Sequence, residues 1–435
     1  MAEVRPLRGI RYEPEKVGDI AQVVTPPYDV ISKEAQASYY ARSPYNVIRL
    51  ELGQTTPDDG PLNNVYTRAA ATLSEWRLQH VLQEEATACY YAYQQTFTYD
   101  GQQYTRTSLI ARVRLEPWSA KVVLPHEHTL AKAKDDRLKL LRACSANLSP
   151  VMSLYDDPQG RIRRLLASHA EQAEVHFIDE AGEEHRLQPI RDTQQIANIQ
   201  DFFSERQLYI ADGHHRYETA LAYRQEMLEQ RKELHTEDAA NFVLMALIDV
   251  DDPGMLVLPT HRMLFGLGQD VLATLTESRF AQYFTVQALA TELASDAIMQ
   301  RLTEAGQEQP ALVIATANQA LLLVLNEQGK QHMQESEHSE AWNSLDVAVT
   351  QRLVMEQIMG LNAEDMTAGT HVRYVRDPQQ ALQAVQSGET QAAVLLNATR
   401  VRQIRDVAQA DDRMPQKSTY FYPKLITGLV INPLW

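Results

Sequence analysis

Cysteine is nearly absent: Cys89 and Cys144 are the only two in 435 residues, which leaves no disulfide framework and no thiolate zinc site and suits a reducing compartment. Long apolar runs are missing as well. No stretch of 18 apolar residues occurs, so no membrane-spanning helix is expected, and the opening Met1-Ala-Glu-Val-Arg-Pro6 lacks the charged-then-apolar pattern of a signal peptide. Positive charge is short. Lys and Arg number 41 against 57 Asp and Glu, a formal net charge of −16, which argues against nucleic acid or a membrane surface as partner, since neutralising such phosphates takes a basic balance or patch. A small basic pocket for one phosphate group stays open. The expected location is the cytoplasm, with a homo-oligomer left open.

What is present is the composition of a folded chain, 44% hydrophobic and 23% charged. At this length two or three domains are expected. The densest polar cluster lies in Leu208-Tyr-Ile-Ala-Asp-Gly-His-His-Arg-Tyr-Glu-Thr-Ala-Leu221. Leu208 to Ile210 have strand character, and Tyr217, Ala220, Leu221 and Leu228 recur at helical spacing, which puts Asp212, Gly213, His214, His215 and Arg216 at a strand-to-helix junction. There the first helical N–H groups lack partners and the dipole end is positive, which favours a phosphate. Gly213 permits a tight turn. Asp212 offers a carboxylate, the two histidines offer imidazoles, and Arg216 offers a planar cation. The competing reading is an Asx-type turn with solvated histidines.

Along the chain, Val23 to Ile31 and Ser43 to Leu50 read as short extended pieces. Pro26 and Pro27 make the first of them an edge or loop, lined by Tyr28 and Asp29. Residues 65–84 have helical periodicity. Ala88 to Tyr99 and Gln103 to Leu115 read as strands joined at Asp100-Gly101. A second polar cluster, His126-Glu-His128, follows the apolar Val122-Val-Leu124. A hairpin is expected around Glu180 to Glu183, a buried strand over Asn241 to Val250 and an amphipathic helix over Leu345 to Gly360. His371 to Val375, Pro378 to Gln386 and Gln391 to Leu396 form a strand-helix-strand order, a parallel-sheet signal. Lys417, Ser418, Thr419 and Lys424 make a third concentration of phosphate-capable groups.

Thr25-Pro-Pro-Tyr-Asp-Val30, Pro125-His-Glu127, the segment from Asp136 to Pro150, Ala211 to Ala220, Leu258-Pro-Thr-His-Arg262 and Met414 to Pro423 occur in that order. Together they resemble, essentially end to end, the uncharacterised family catalogued as domain of unknown function 1015. Asp212-Gly-His-His-Arg216 in turn resembles the nucleotide-handling motif shared by sulfiredoxin, ParB-type partition proteins and the archaeal free serine kinase. Histidine at 214, where sulfiredoxin has cysteine, argues against a sulfinic acid reductase, and no ParB-like basic region is present.

The resemblance implies a mixed α/β (α+β) fold: a ParB/sulfiredoxin-like nucleotide-binding core with added α/β subdomains. The expected division is 1–120, a core over 121–262, an inserted subdomain over 263–340 and a returning region over 341–435. The activity implied is a small-molecule phosphotransferase of the free serine kinase type, using ATP or ADP with Mg2+. Gly213, His215 and Arg216, completed by Lys417, Ser418 and Thr419, are the expected phosphate ligands. Glu127 is the expected proton acceptor, with Asp212 as metal ligand or second base and His214 beside them. Tyr28, Asp29, His126 and Arg262 are the expected substrate contacts. Two other readings stay open: a metal-dependent hydrolase on His126, His128, His214 and His215 with Glu127 as base, and a nucleotide-binding regulator without turnover.

Overall fold

A computed structural model describes residues 1–127, 129, 131–290, 293–361 and 369–435, with the backbone alone at 131–133. The chain is a mixed α/β protein of two compact units. The first comprises Met1–Pro125, Thr129–Leu256 and Pro423–Trp435, and the second His126–His128 and Val257–Tyr422. His128 itself lies outside the described residues. Among the described residues no helix is long and apolar enough to cross a membrane.

The first unit is built on a nine-stranded sheet. Its main path runs Val123–Leu124, Leu208–Asp212, Val151–Tyr155, Phe242–Asp249, Gln102–Arg114, Tyr90–Tyr99, Glu184–Ile190 and Val175–Ile178, and Val4–Arg5 pairs with Gln102–Arg114. Phe242–Asp249 is buried at every position, as its unbroken apolar run predicts for a central strand covered on both faces. Asp100 and Gly101 both take positive φ, 49° and 72°. That is the backbone twist a two-residue hairpin needs. Ile162 and Leu166 of the helix Arg161–Ala170, Ile199, Phe202 and Phe203 of Thr193–Phe203, and Tyr217 and Ala220 of His214–Arg231 join the strands in one apolar core.

The extended piece expected over Ser43 to Leu50 ends otherwise. Ile48–Glu51 is a helical turn. The fully buried Asn46 causes it: Oδ1 accepts from the Ile48 N–H at 3.0 Å while Nδ2 donates to the Gln22 carbonyl at 2.7 Å, an Asx turn that competes with extended backbone.

The second unit carries a six-stranded sheet in the order Phe284–Leu289, Gln319–Leu325, Ala311–Thr316, Ala392–Leu396, His261–Leu264, Val372–Val375. The strand-helix-strand order expected near the C-terminus is present, yet its two strands are not neighbours. His261–Leu264 lies between Val372–Val375 and Ala392–Leu396 and is antiparallel to both. The helix expected over 345–360 starts at Asp346 and widens into π turns over Thr350–Ile358, with Met359 N–H reaching back five residues to the Val354 carbonyl.

Candidate functional site

The strand Leu208–Asp212 pairs with Val151–Tyr155, and the register slips between Ile210 and Asp212. Such a bulge re-aims the side chain that follows it. Gly213 then takes φ +94°, ψ 27° and starts the helix His214–Arg231. A side chain is excluded there twice over: by the left-handed backbone, and because a Cβ would meet the Arg216 guanidinium at 2.9 Å. Some helices elsewhere are capped by the side chain before them, for example by Ser32, Asn64 and Asp192, while Arg161–Ala170 also starts on a positive-φ glycine and takes an acceptor from Asp157 instead. Glycine has no side chain to offer, so Gly213 supplies no capping acceptor to the first turn of His214–Arg231.

Two cations converge on Asp212. Arg216 Nη2 donates to Oδ2 at 2.8 Å, Lys424 Nζ donates to Oδ1, and Arg216 Nη1 also donates to the Pro150 carbonyl. Burial pushes the Asp212 carboxyl up, but Lys424 and Arg216, with His214 adding to them, hold it well below the usual carboxylate range. Each oxygen of Asp212 therefore already faces a cation, which is a poor start for a metal ligand. Lys424 is itself held in place through the backbone. Gln95 Nε2 donates to its carbonyl at 3.2 Å, and the buried Arg106 donates to the Pro423 carbonyl at 2.8 Å and to Gln95 Oε1 at 2.5 Å.

His214 is buried and His215 partly so. Glu218, one turn further along the helix, accepts from Thr129 Oγ1 at 2.6 Å and Lys134 Nζ at 2.9 Å. Burial raises its pKa, and Lys134, Thr129 and the charge of His215 outweigh that and lower it. On another side of Arg216 lies a buried acid that no sequence pattern singles out. Glu51 accepts from Ser149 Oγ at 3.3 Å and Arg137 at 3.4 Å. Burial pushes its pKa up, against the pull of Arg137 and Arg216. Tyr28 stacks under the Arg137 guanidinium at 4.0 Å, and burial pushes its hydroxyl up to about 12. Asp29 is exposed. The first unit thus gathers Asp212, Gly213, His214, His215 and Arg216 with Lys424, Arg137, Glu51 and Tyr28.

The other expected residues belong to the second unit. The buried His126 has Nε2 3.2 Å from Thr419 Oγ1, and its carbonyl accepts from the Met414 N–H at 2.8 Å. Glu127 Oε1 accepts from the Lys417 N–H at 3.2 Å. Lys417 sits at φ +58°. Ser418 Oγ donates to the Pro415 carbonyl at 2.5 Å, and its own carbonyl accepts from Thr399 Oγ1 at 2.9 Å. This segment therefore meets His126 and Glu127, as a built turn and not a solvated tail. Arg262 lies inside a sheet strand, donating to the Thr260 carbonyl at 2.7 Å, and burial lowers its pKa to about 10. Of the four histidines expected for a hydrolase, His128 lies outside the described residues, and among the described residues His126, His214 and His215 are in no group of three ligand atoms in reach of one another; such a group occurs elsewhere.

Comparison with known proteins gives one strong match. The family model described as "Protein of unknown function (DUF1015)" matches residues 4–348. No curated protein matches in sequence. Among solved structures, a free serine kinase in complex with AMP is 10% identical, covering 72% of this chain and 86% of its own at a TM-score of 0.36. A conserved hypothetical protein from Pyrococcus furiosus is 11% identical, covering 73% and 92% at 0.35, and SbnI with a C-terminal truncation, from Staphylococcus aureus, is 12% identical, covering 75% and 87% at 0.35. At these scores the likeness carries no argument about chemistry.

Proposed function

The chain belongs to the DUF1015 family, and from that premise we propose that it is a nucleotide-dependent phosphotransferase acting on the hydroxyl of a small molecule, L-serine being the first acceptor to test. The observation that carries this reading is the turn at Gly213. A helix of 18 residues starts on a glycine at positive φ that brings no capping side chain, and has Arg216, Lys424, Lys134 and His215 around it. Backbone N–H groups at a positive dipole end, with cations close by, are what a polyphosphate chain needs. Phosphoryl transfer asks for positioning and charge neutralisation more than for covalent help.

In this reading the His214, His215 and Arg216 N–H groups hold the phosphates, and Gly213 lets them come close. Arg216 and Lys424 fix the turn through Asp212. The acceptor oxygen attacks the terminal phosphorus, the bond to the leaving phosphate breaks, and the hydroxyl proton passes to a carboxylate. A bound Mg2+ would supply charge neutralisation on the phosphates; because both oxygens of Asp212 already face cations, the nucleotide's own oxygens are proposed to carry it.

The test begins with ATP and ADP, with and without Mg2+, titrated against the full chain by calorimetry and thermal shift, since a ligand of the folded state raises apparent stability. Arg216→Ala keeps the N–H but removes the guanidinium that fixes the turn through Asp212, and is expected to weaken nucleotide binding by about 1.5–3 kcal/mol, the range for one lost charge-assisted hydrogen bond. Formation of phosphoserine from L-serine is then followed by phosphorus NMR. Nucleotide binding unchanged in Arg216→Ala would take the turn out of the site. Binding without phosphoserine would leave a regulator or another acceptor.

A further inference from the structure

The hairpin between Val175–Ile178 and Glu184–Ile190 closes over Asp179 to Glu183. Asp179 shapes it: the Asp179 N–H donates to the Glu183 carbonyl at 2.9 Å, while Oδ1 accepts from the N–H groups of Ala181 and Glu183, each at 2.9 Å. Oδ2 points elsewhere, lying 3.2 Å from His185 Nε2. His185 is completely buried, stacked on Phe177 at 4.8 Å, with Nδ1 2.8 Å from the Tyr93 hydroxyl. Its Nε2 is buried and makes no well-directed hydrogen bond, the Asp179 oxygen being near but off line. Leaving such a nitrogen unsatisfied is costly.

Glu183, 8% exposed, completes the group, its Oε2 accepting from Gln95 at 2.7 Å. Ligand atoms of Asp179, Glu183 and His185 all lie within 4.8 Å of one another. Burial raises the Asp179 carboxyl, but His185 and the N–H groups of Glu183 and Ala181 outweigh that, whereas Glu183 has Gln95 as its side-chain donor; the group brings two carboxylates and one imidazole to a single place. It is well matched to a dication.

We propose that Asp179, Glu183 and His185 bind one divalent first-row metal ion of the Zn2+ type, with His185 Nε2 and one oxygen from each carboxylate as ligands. Imidazole with carboxylates suits zinc better than Mg2+ or Ca2+, which take oxygen alone. Ligands about 2.1 Å from the ion stand about 3.4 Å apart on a tetrahedron, so Asp179 and His185, 3.2 Å apart, are already at that spacing, and any pair as far apart as 4.8 Å closes by about 1.4 Å on binding. With its Nδ1–H donated to the Tyr93 oxygen 2.8 Å away, the metal-bound imidazole presents its Nε2 lone pair to the ion. The ion neutralises the repulsion that, after burial, pushes Glu183 up to about 7. Three protein ligands leave a fourth position for water or a small anion. Of the other charged groups nearby, Glu180 is held by Tyr39 and Arg42, His176 pairs with Glu184 on an exposed face, and the buried Arg106, whose charge reaches Glu183, is tied to Gln95 and the Pro423 carbonyl. None of the three ligands belongs to the Gly213 turn, although Gln95, which donates to Glu183, also donates to the Lys424 carbonyl behind that turn; zinc binding is read without nucleotide, so its failure is distinguishable from failure of the phosphotransferase reading.

The experiment uses the full chain stripped with chelator and titrated with Zn2+ by calorimetry, with Co2+ as a spectroscopic substitute. One equivalent of Zn2+ is expected, Mg2+ in large excess does not displace it, and Co2+ gives visible d–d bands. Glu183→Gln and Asp179→Asn each weaken Zn2+ binding by at least tenfold, and His176→Ala leaves it unchanged. Metal-free melting curves check folding. If Asp179→Asn unfolds, Glu183→Gln still decides, because it keeps an oxygen for Gln95 and removes one of the two carboxylates. No bound equivalent, wild-type affinity in Glu183→Gln, or loss of binding in His176→Ala overturns the proposal.

Discussion

Replacing Lys424 by methionine isolates the contact that joins the C-terminal segment to Asp212. Methionine keeps most of the apolar stem and removes the ammonium, while the Lys424 carbonyl keeps its bond from Gln95. Breaking a fully buried ion pair typically costs about 3–5 kcal/mol. This pair is less extreme, since the Lys424 and Asp212 side chains are 10% and 18% exposed and Arg216 stays on the second oxygen. The range for one charge-assisted hydrogen bond, about 1.5–3 kcal/mol, is therefore expected at pH 7. The pH dependence has a definite sign. The folded-state pKa of Asp212 is depressed, so its contribution is fully present above the ordinary carboxylate pKa, near 4, and is lost as pH falls toward the folded value. Wild type thus loses up to about 1.4 kcal/mol per pH unit below about 4, whereas the variant, with a less depressed Asp212, loses less. Urea unfolding followed by circular dichroism at pH 7 and pH 3 should show a deficit that shrinks on acidification. A deficit below about 0.5 kcal/mol at pH 7, or one equal at the two pH values, refutes the reasoning.

Gly213→Ala should destabilise by about 1–3 kcal/mol from backbone strain alone, and more once Arg216 is displaced by the new Cβ. Gly101→Ala is the control, at φ +72° with nothing within 4 Å of a Cβ; equal melting losses in the two variants would show that Arg216 does not feel the substitution. Glu127→Gln keeps the shape and removes a base. If that carboxylate takes the hydroxyl proton in the transition state, turnover drops about 10²–10⁴-fold with nucleotide affinity unchanged, and retained turnover moves the role to another acid.

Features written in local patterns are legible in the residues alone. The Asp100-Gly101 hairpin, the buried strand Phe242–Asp249 and the strand-turn-helix around Gly213 each follow from spacing and turn chemistry among neighbours. Ile48–Glu51 departs from the expected extended form because its conformation depends on Asn46 reaching Gln22, a partner that periodicity does not contain. Glu51 gives no sequence signal for a related reason. A single acid among apolar residues becomes meaningful only when Arg137 and Ser149, far along the chain, are packed against it.

The sequence by itself determined where the polar groups are concentrated, that Gly213 would turn a strand into a helix, and which family motifs the chain carries, because these depend on residue type and short spacing. Only the tertiary structure decided how the charges pair. Lys424 meets Asp212 across 212 positions of sequence, Arg106 holds Pro423 across 317, and His126 meets Thr419 across 293. Lys417, Ser418 and Thr419 accordingly belong with His126 and Glu127, while Lys424, a few residues later, belongs with Asp212 and Arg216. A charge in a linear sequence has no partner until packing removes it from water, and which partner it then needs is set by the sheet order and the turns that bring distant segments together.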